Sequence, residues 1–150
     1  MGLDFGYSND PTAAVLCGVV DNALYIKEII YKKGLIAKDI AKELLNYGLP
    51  IYCDQADPRL IDELHLLGLN TYAVPKGAGS IIAGIDKMLS MDLYVTSDSM
   101  NILNEFHNYV WDKDKDGNYI NKPVDRDNHA CDAARYYVNW KLLGHNNTPK

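Results

Sequence analysis

Apolar and polar residues alternate through three consecutive stretches near the start of the chain, and this alternation predicts strands over residues 2–7, 13–20 and 23–32. Asp21-Asn22 suits a tight turn, so the second and third strands should pair as a hairpin. The period then changes. Over 38–47, Ile40, Leu44 and Tyr47 recur at helical spacing, with Gly48 as the stop. A short apolar run over 50–53 fits a buried strand. Pro58 suits a first helical position and Asp57 its N-cap, which opens a helix reaching about Leu67. Further on, the pattern predicts a strand over 70–74, a helix from Gly79-Ser80 to about Met91, a strand over 93–96 and a helix over 98–106. Strands over 109–111 and 119–120 flank Asp116-Gly117, a strong hairpin signal. A last helix covers 127–143, and a polar tail follows over 144–150.

Three adjacent antiparallel strands followed by βαβ units imply a mixed sheet with helices on both faces. This is the RNase H-like plan. The expectation is one α/β domain over 1–143, with a five-stranded central sheet and a separate β-hairpin.

Composition agrees with one domain. The chain has 150 residues, 47% hydrophobic and 23% charged, as in an ordinary soluble fold. No apolar run approaches the roughly 20 residues that span a bilayer, so no membrane association is expected. Met1-Gly2-Leu3-Asp4 has no basic region leading into an apolar stretch, so no signal peptide is expected. Cys17, Cys53 and Cys131 form no CxxC pair and read as reduced cytosolic thiols. The net charge of −5 argues against binding nucleic acid. That objection weakens if some of the acids hold divalent cations.

Three acids stand where chemistry could be done. Asp4 lies inside an apolar strand, where a charge is costly unless paired or bound to metal. A strand-end aspartate satisfied by a backbone amide is the simpler reading. Asp54 directly follows a strand, at the kind of edge where ligands gather in open α/β sheets. An Asx turn into Gln55-Ala56-Asp57-Pro58 would equally explain it. Asp132 shares a helix face with His129, three residues earlier, among Ala130, Ala133 and Ala134. Those alanines let the helix approach a sheet closely, although Asp132 could instead pair with Arg135 on a solvated face. If the plan above holds, the three carboxylates converge. Each pair about 4 Å apart would repel by roughly 4 kcal/mol, so the cluster needs protons or cations. Oxygen donors favour Mg²⁺ or Mn²⁺, and two such ions would suit phosphodiester hydrolysis.

Three stretches resemble the nuclease (C-terminal) domain of phage terminase large subunits: residues 2–13 (GLDFGYSNDPTA), 53–64 (CDQADPRLIDEL) and 128–136 (NHACDAARY). The loop Pro75-Lys76-Gly77-Ala78-Gly79-Ser80-Ile81 is similar too, as is the hairpin running to Pro123-Val124-Asp125. The resemblance implies a two-metal endonuclease that cuts double-stranded DNA, with little sequence specificity, during viral genome packaging. It implies Asp4, Asp54 and Asp132 as ligands for two Mg²⁺ or Mn²⁺ ions, with His129 assisting beside Asp132. It further implies a packaging ATPase domain, a small terminase subunit and a portal as partners, in the cytoplasm of an infected or lysogenic bacterial host. The chain has no G-x-x-x-x-G-K-[ST] sequence, so an excised domain or a product needing a separate motor is expected. Many relatives have Glu where Asp57 stands; its N-cap role explains it sufficiently.

Other features have competing readings. Asp112-Lys113-Asp114-Lys115-Asp116-Gly117 copies the start of an EF-hand loop, but Pro123 stands where a bidentate Glu is needed. A charged hairpin tip fits better, with Lys113 and Lys115 able to meet DNA. Lys76, in a Gly-rich loop before a helix, suits a phosphate or plain solvent. Asp4-Phe5-Gly6-Tyr7-Ser8 also resembles the phosphate loop of actin-like and sugar-kinase ATP-binding domains, which nucleotide binding without cleavage would favour. A Holliday-junction resolvase of the same fold would prefer four-way junctions. A non-catalytic packaging adaptor would bind no divalent metal.

Overall fold

The alternating stretches fold as β1 (Gly2–Asp4), β2 (Thr12–Val20) and β3 (Ala23–Lys32). The structure is a computed structural model; it describes residues 1–108, 111–123 and 127–144, with backbone alone at 111–113 and 119–123. β1 stops at Asp4, three residues sooner than the alternation predicts. The Gly6 amide donates to Thr12 Oγ1 at 3.1 Å and the Asp10 amide to the Tyr7 carbonyl at 2.8 Å, so the backbone leaves the ladder for a turn.

The chain continues through α1 (Ala37–Leu44), a 3₁₀ turn (Leu45–Tyr47), β4 (Ile51–Asp54), α2 (Pro58–Leu66) and β5 (Thr71–Val74). Gly48 ends the turn at φ 59°, a left-handed conformation that glycine adopts without a Cβ clash. Asp57 caps α2, accepting from the Leu60 amide at 3.1 Å, and Pro58 takes the first position as expected. Next come α3 (Ser80–Leu89), β6 (Asp92–Val95), α4 (Met100–Asn108), the pair β7 (Trp111–Lys113) and β8 (Tyr119–Pro123), and α5 (His129–Lys141). Gly117, at φ 82°, makes the β7–β8 turn together with Asp114, whose carboxylate accepts from the Asp116 and Asn118 amides. The expected strand residues Tyr109 and Val110, the Val124-Asp125 stretch and the tail beyond Gly144 lie outside the described residues.

The sheet runs β5-β4-β1-β2-β3-β6 and has six strands, one more than expected. β6, at one end of the order, pairs parallel with β3 from Ala23↔Asp92 to Ile26↔Val95. It covers an edge of β3 that would otherwise leave a row of unpaired backbone groups.

Alternation along β2 divides the core in two. Leu3, Ala14, Ile40, Leu44, Cys53 and Leu64 pack on one face under α1 and α2. Ala13, Val15, Leu24, Ile26, Met88, Ile102 and Val138 pack on the other, under α3, α4 and α5. β3 changes phase partway. Ala14 pairs with Ile30 but Val15 with Glu28, so Ile29 is an extra residue in a bulge. Before the bulge, even-numbered Leu24 and Ile26 face α5; after it, odd-numbered Tyr31 does.

α5 lies very close to the sheet. Ala130, Ala133 and Ala134 are fully buried, as their small size predicts. A Cβ on Gly2 would stand 1.7 Å from the Ala133 carbonyl oxygen, and one on Gly84 2.6 Å from Arg135 Cγ. Glycine at these two places lets α5 seat against β1 and α3.

Candidate functional site

β1 and β4 are parallel neighbours in the register Leu3↔Cys53, so their final residues, Asp4 and Asp54, emerge side by side. α5 crosses this edge and presents His129, Asp132 and Tyr136 at spacings of three and four. The Tyr136 hydroxyl lies between the two strand-end acids, 3.2 Å from Asp4 Oδ1 and 3.4 Å from Asp54 Oδ2. His129 Nδ1 is 3.3 Å from Asp4 Oδ2, and its Nε2 faces Asp10 at 3.9 Å. Asp132 accepts from Arg135 at 3.2 Å, in a pair whose arginine is buried. The alternatives raised for Asp132 are thus both partly met: it pairs with Arg135, but on the packed face.

All three carboxylates are mostly withdrawn from water, with side-chain exposures of 13% for Asp4, 15% for Asp54 and 22% for Asp132. Burial pushes the Asp132 carboxyl up to about 6; Arg135 pulls it back in part, while the Asp4 charge adds to the rise. The hydrogen bond to Asp4 raises the His129 imidazole and favours its protonated form, against the opposing effect of burial. Burial raises the Tyr136 phenol strongly, reinforced by Asp4, Asp132 and Asp54, so it stays a neutral donor.

Asp54 serves two purposes with separate atoms. Its Oδ1 accepts from the Ala56 amide at 2.9 Å, which is the expected Asx turn. Its Oδ2 meets Lys76 Nζ at 2.5 Å. Lys76 comes from the loop after β5 and therefore belongs to this cluster. Lys115 is exposed at the β7–β8 tip, and the side chain of Lys113 lies outside the described residues. Asp57 stays out of the cluster: it caps α2 and accepts from the Tyr7 hydroxyl.

Two residues of this region carry no expectation from the sequence. Tyr136 could have been found, because it lies four residues after Asp132 on the same helical face. Glu105 has no local signal. It is buried on α4, where its Oε2 accepts from the Cys131 amide and its Oε1 from the Tyr31 hydroxyl, both at 2.8 Å.

Comparison with known proteins agrees with this geometry. A family model described as the terminase RNase H-like domain matches residues 4–139. The terminase large subunit of Bacillus phage SPP1 is 34% identical over 144 residues; the match takes in 90% of this chain and 34% of that protein. The chain thus spans about a third of the length of that relative. The nuclease domain of the SPP1 large terminase, solved with bound Mn, superposes with a TM-score of 0.85 at 30% identity, covering 94% of this chain and 85% of that one. The P22 large-terminase nuclease domain shares the fold at a TM-score of 0.71 and 17% identity, over 95% of this chain and 79% of that one. The large terminase of a thermophilic bacteriophage does so at 0.71 and 22%, over 94% and 39%. The chain belongs to the terminase RNase H-like domain family, the nuclease domain of phage terminase large subunits.

Proposed function

We propose that this domain is a divalent-metal-dependent endonuclease that cuts double-stranded DNA, with little sequence specificity, during viral genome packaging. The observation that carries this reading is the meeting of Asp4, Asp54 and Asp132 at one sheet edge, drawn from two adjacent strands and one helix. The Mn bound by the SPP1 domain supports it.

The donor set fits a hard cation. Among the described residues, no three carboxylate, imidazole or thiol groups close into a ready cage. The acids are held instead by groups a cation can displace: the Lys76 ammonium on Asp54 and a neutral phenol between Asp54 and Asp4. The carboxyl of Asp132 is raised to about 6 chiefly by burial, with a smaller push from Asp4, and a bound cation would favour its charged form. Asp4, Asp54 and Asp132 would hold Mg²⁺ or Mn²⁺, in two ions, and these would supply activation of water and charge stabilisation at the leaving 3′-oxygen.

The chain's own groups do the rest. His129 keeps a proton on a ring oriented by Asp4 and can hand it to, or share it with, an oxygen of the scissile phosphate. Lys76 is 43% exposed and, once released from Asp54, can offset phosphate charge. Nothing in the described residues forms a base-reading helix of a known DNA-binding motif, in keeping with low sequence specificity. A packaging ATPase domain, a small terminase subunit and a portal are the proposed partners, in the cytoplasm of an infected or lysogenic bacterial host.

The test is incubation of the purified chain with supercoiled plasmid and, separately, a four-way junction, under Mg²⁺, Mn²⁺ or EDTA. Nicking and linearisation of plasmid with metal, and none with EDTA, is the expected result. Intact plasmid after long incubation in millimolar Mn²⁺ would defeat the proposal, and exclusive junction cutting would redirect it to a resolvase. In the same assay His129→Ala is expected to slow cleavage roughly 10²-fold with Mn²⁺ affinity nearly unchanged. A wild-type rate from pH 6 to 9 would remove His129 from the reaction.

A further inference from the structure

The first-turn amides of an α-helix need partners from outside the helix. At α5 the N-cap residue is Asn128, a type well suited to capping, yet its side chain makes no capping bond. The cap comes from another helix. Glu105 of α4 is only 3% exposed and accepts from the Cys131 amide at 2.8 Å. The neighbouring Ala130 amide is turned toward the same carboxylate. The second oxygen of Glu105 is held by the Tyr31 hydroxyl at 2.8 Å, and the Tyr31 ring meets the His129 ring edge-on with centroids 6.4 Å apart.

Burying a carboxylate is costly, and an exposed side chain at position 128 could keep the helix intact without that cost. A local cap, however, fixes only helicity. A cap reaching 26 residues along the chain fixes where α5 begins relative to α4 and β3. His129 is the first residue of α5 and Asp132 the fourth, so the turn that Glu105 grips is the turn that faces Asp4. We infer that Glu105 is a positioning residue of the site: by capping α5 from α4, with Tyr31 steadying its other oxygen, it sets the height at which His129 and Asp132 meet Asp4. The inference rests on the nuclease reading above.

The test compares Glu105→Gln, Tyr31→Phe and the control Ile102→Val. Ile102 is fully buried on the same helix and packs in the core. Plasmid nicking with Mn²⁺ gives kcat and KM, and amide hydrogen exchange reports on α5. Glutamine keeps the shape but has one acceptor oxygen where the carboxylate accepts from the Cys131 amide, the Ala130 amide and the Tyr31 hydroxyl. Glu105→Gln is expected to lower kcat about tenfold or more below Ile102→Val, with KM for DNA within about twofold, and to speed exchange at Ala130 and Cys131. Tyr31→Phe should show a smaller loss of the same kind, and it carries the comparison if Glu105→Gln does not fold. A kcat equal to that of Ile102→Val, or unchanged exchange at those two amides, overturns the inference. If the wild type is inert with Mn²⁺, it is the nuclease reading that fails, and exchange at Ala130 and Cys131 decides the positioning role alone.

Discussion

Asp132→Asn is expected to lose DNA cleavage by roughly 10²–10³-fold or more while raising the melting temperature of the metal-free protein at about pH 8. The two effects have one cause. Burial lifts the Asp132 carboxyl from 3.8 to about 6, so the fold disfavours its charged form. The cost is absent below about pH 4, where the carboxyl is protonated in both states. It grows as pH rises and is complete above about pH 6, where both states are ionised. A shift of this size corresponds to about 3 kcal/mol, or roughly 5–10 °C in a domain of this length. His129 acts in the same direction: its raised pKa contributes stability at low pH that is lost as pH rises through the folded-state value. The metal-free wild type should therefore melt higher near pH 5 than near pH 8, and asparagine should remove much of the difference. Mn²⁺ should raise the wild-type midpoint most at the higher pH, by binding the native state alone, and should barely move Asp132→Asn. Scanning calorimetry of both proteins at the two pH values, with and without Mn²⁺, checks all of this. A lower melting temperature for metal-free Asp132→Asn at pH 8 would show that Arg135 depends on the Asp132 charge more than the fold suffers from it.

The second large effect is expected at Gly2→Ala. The added Cβ would stand 1.7 Å from the carbonyl oxygen of Ala133 and 2.5 Å from its carbon. Both are backbone atoms inside a helix and cannot rotate away. Either β1 or α5 must move, and β1 is held by β2 on one side and β4 on the other. Overpacking typically costs about 1–3 kcal/mol, and a clash with fixed backbone belongs at or beyond the top of that range. A fall in the melting midpoint of roughly 10 °C, or loss of soluble protein, is the expected outcome. A midpoint within about 2 °C of wild type would mean that α5 does not press on β1 as closely as described.

The elements that local chemistry dictates were legible in the sequence. Pro58 behind Asp57, Gly48 after an amphipathic run and Asp116-Gly117 in a hairpin each act within a few residues, and each stands where expected. The alanines of α5 were legible for another reason: small residues on one helical face have few uses other than close packing. Asp4 and Asp54 could be brought together only by assuming the fold, since their meeting depends on the β1–β4 register across 50 residues. Glu105 and Tyr31 escaped because their roles exist only in contact, across 74 residues for one bond and 26 for the other. The sheet has six strands where five were expected, because the alternation that reveals a strand does not name its neighbour.

The bulge at Ile29 has a consequence for how this hairpin can vary. β3 is written in two phases: up to Glu28 its even positions serve the core beneath α5, and from Tyr31 its odd positions serve the edge where Asp4 emerges. Lengthening the chain at the Asp21-Asn22 turn leaves both phases as they are. A second extra residue between Glu28 and Tyr31 that the bulge could not absorb would exchange the faces of everything downstream, whereas losing Ile29 would not, because Glu28, Ile30 and Tyr31 already pair with Val15, Ala14 and Ala13. The far end of the hairpin is therefore tolerant of length, and the near end carries a single supernumerary isoleucine that the pairing of its neighbours does not need.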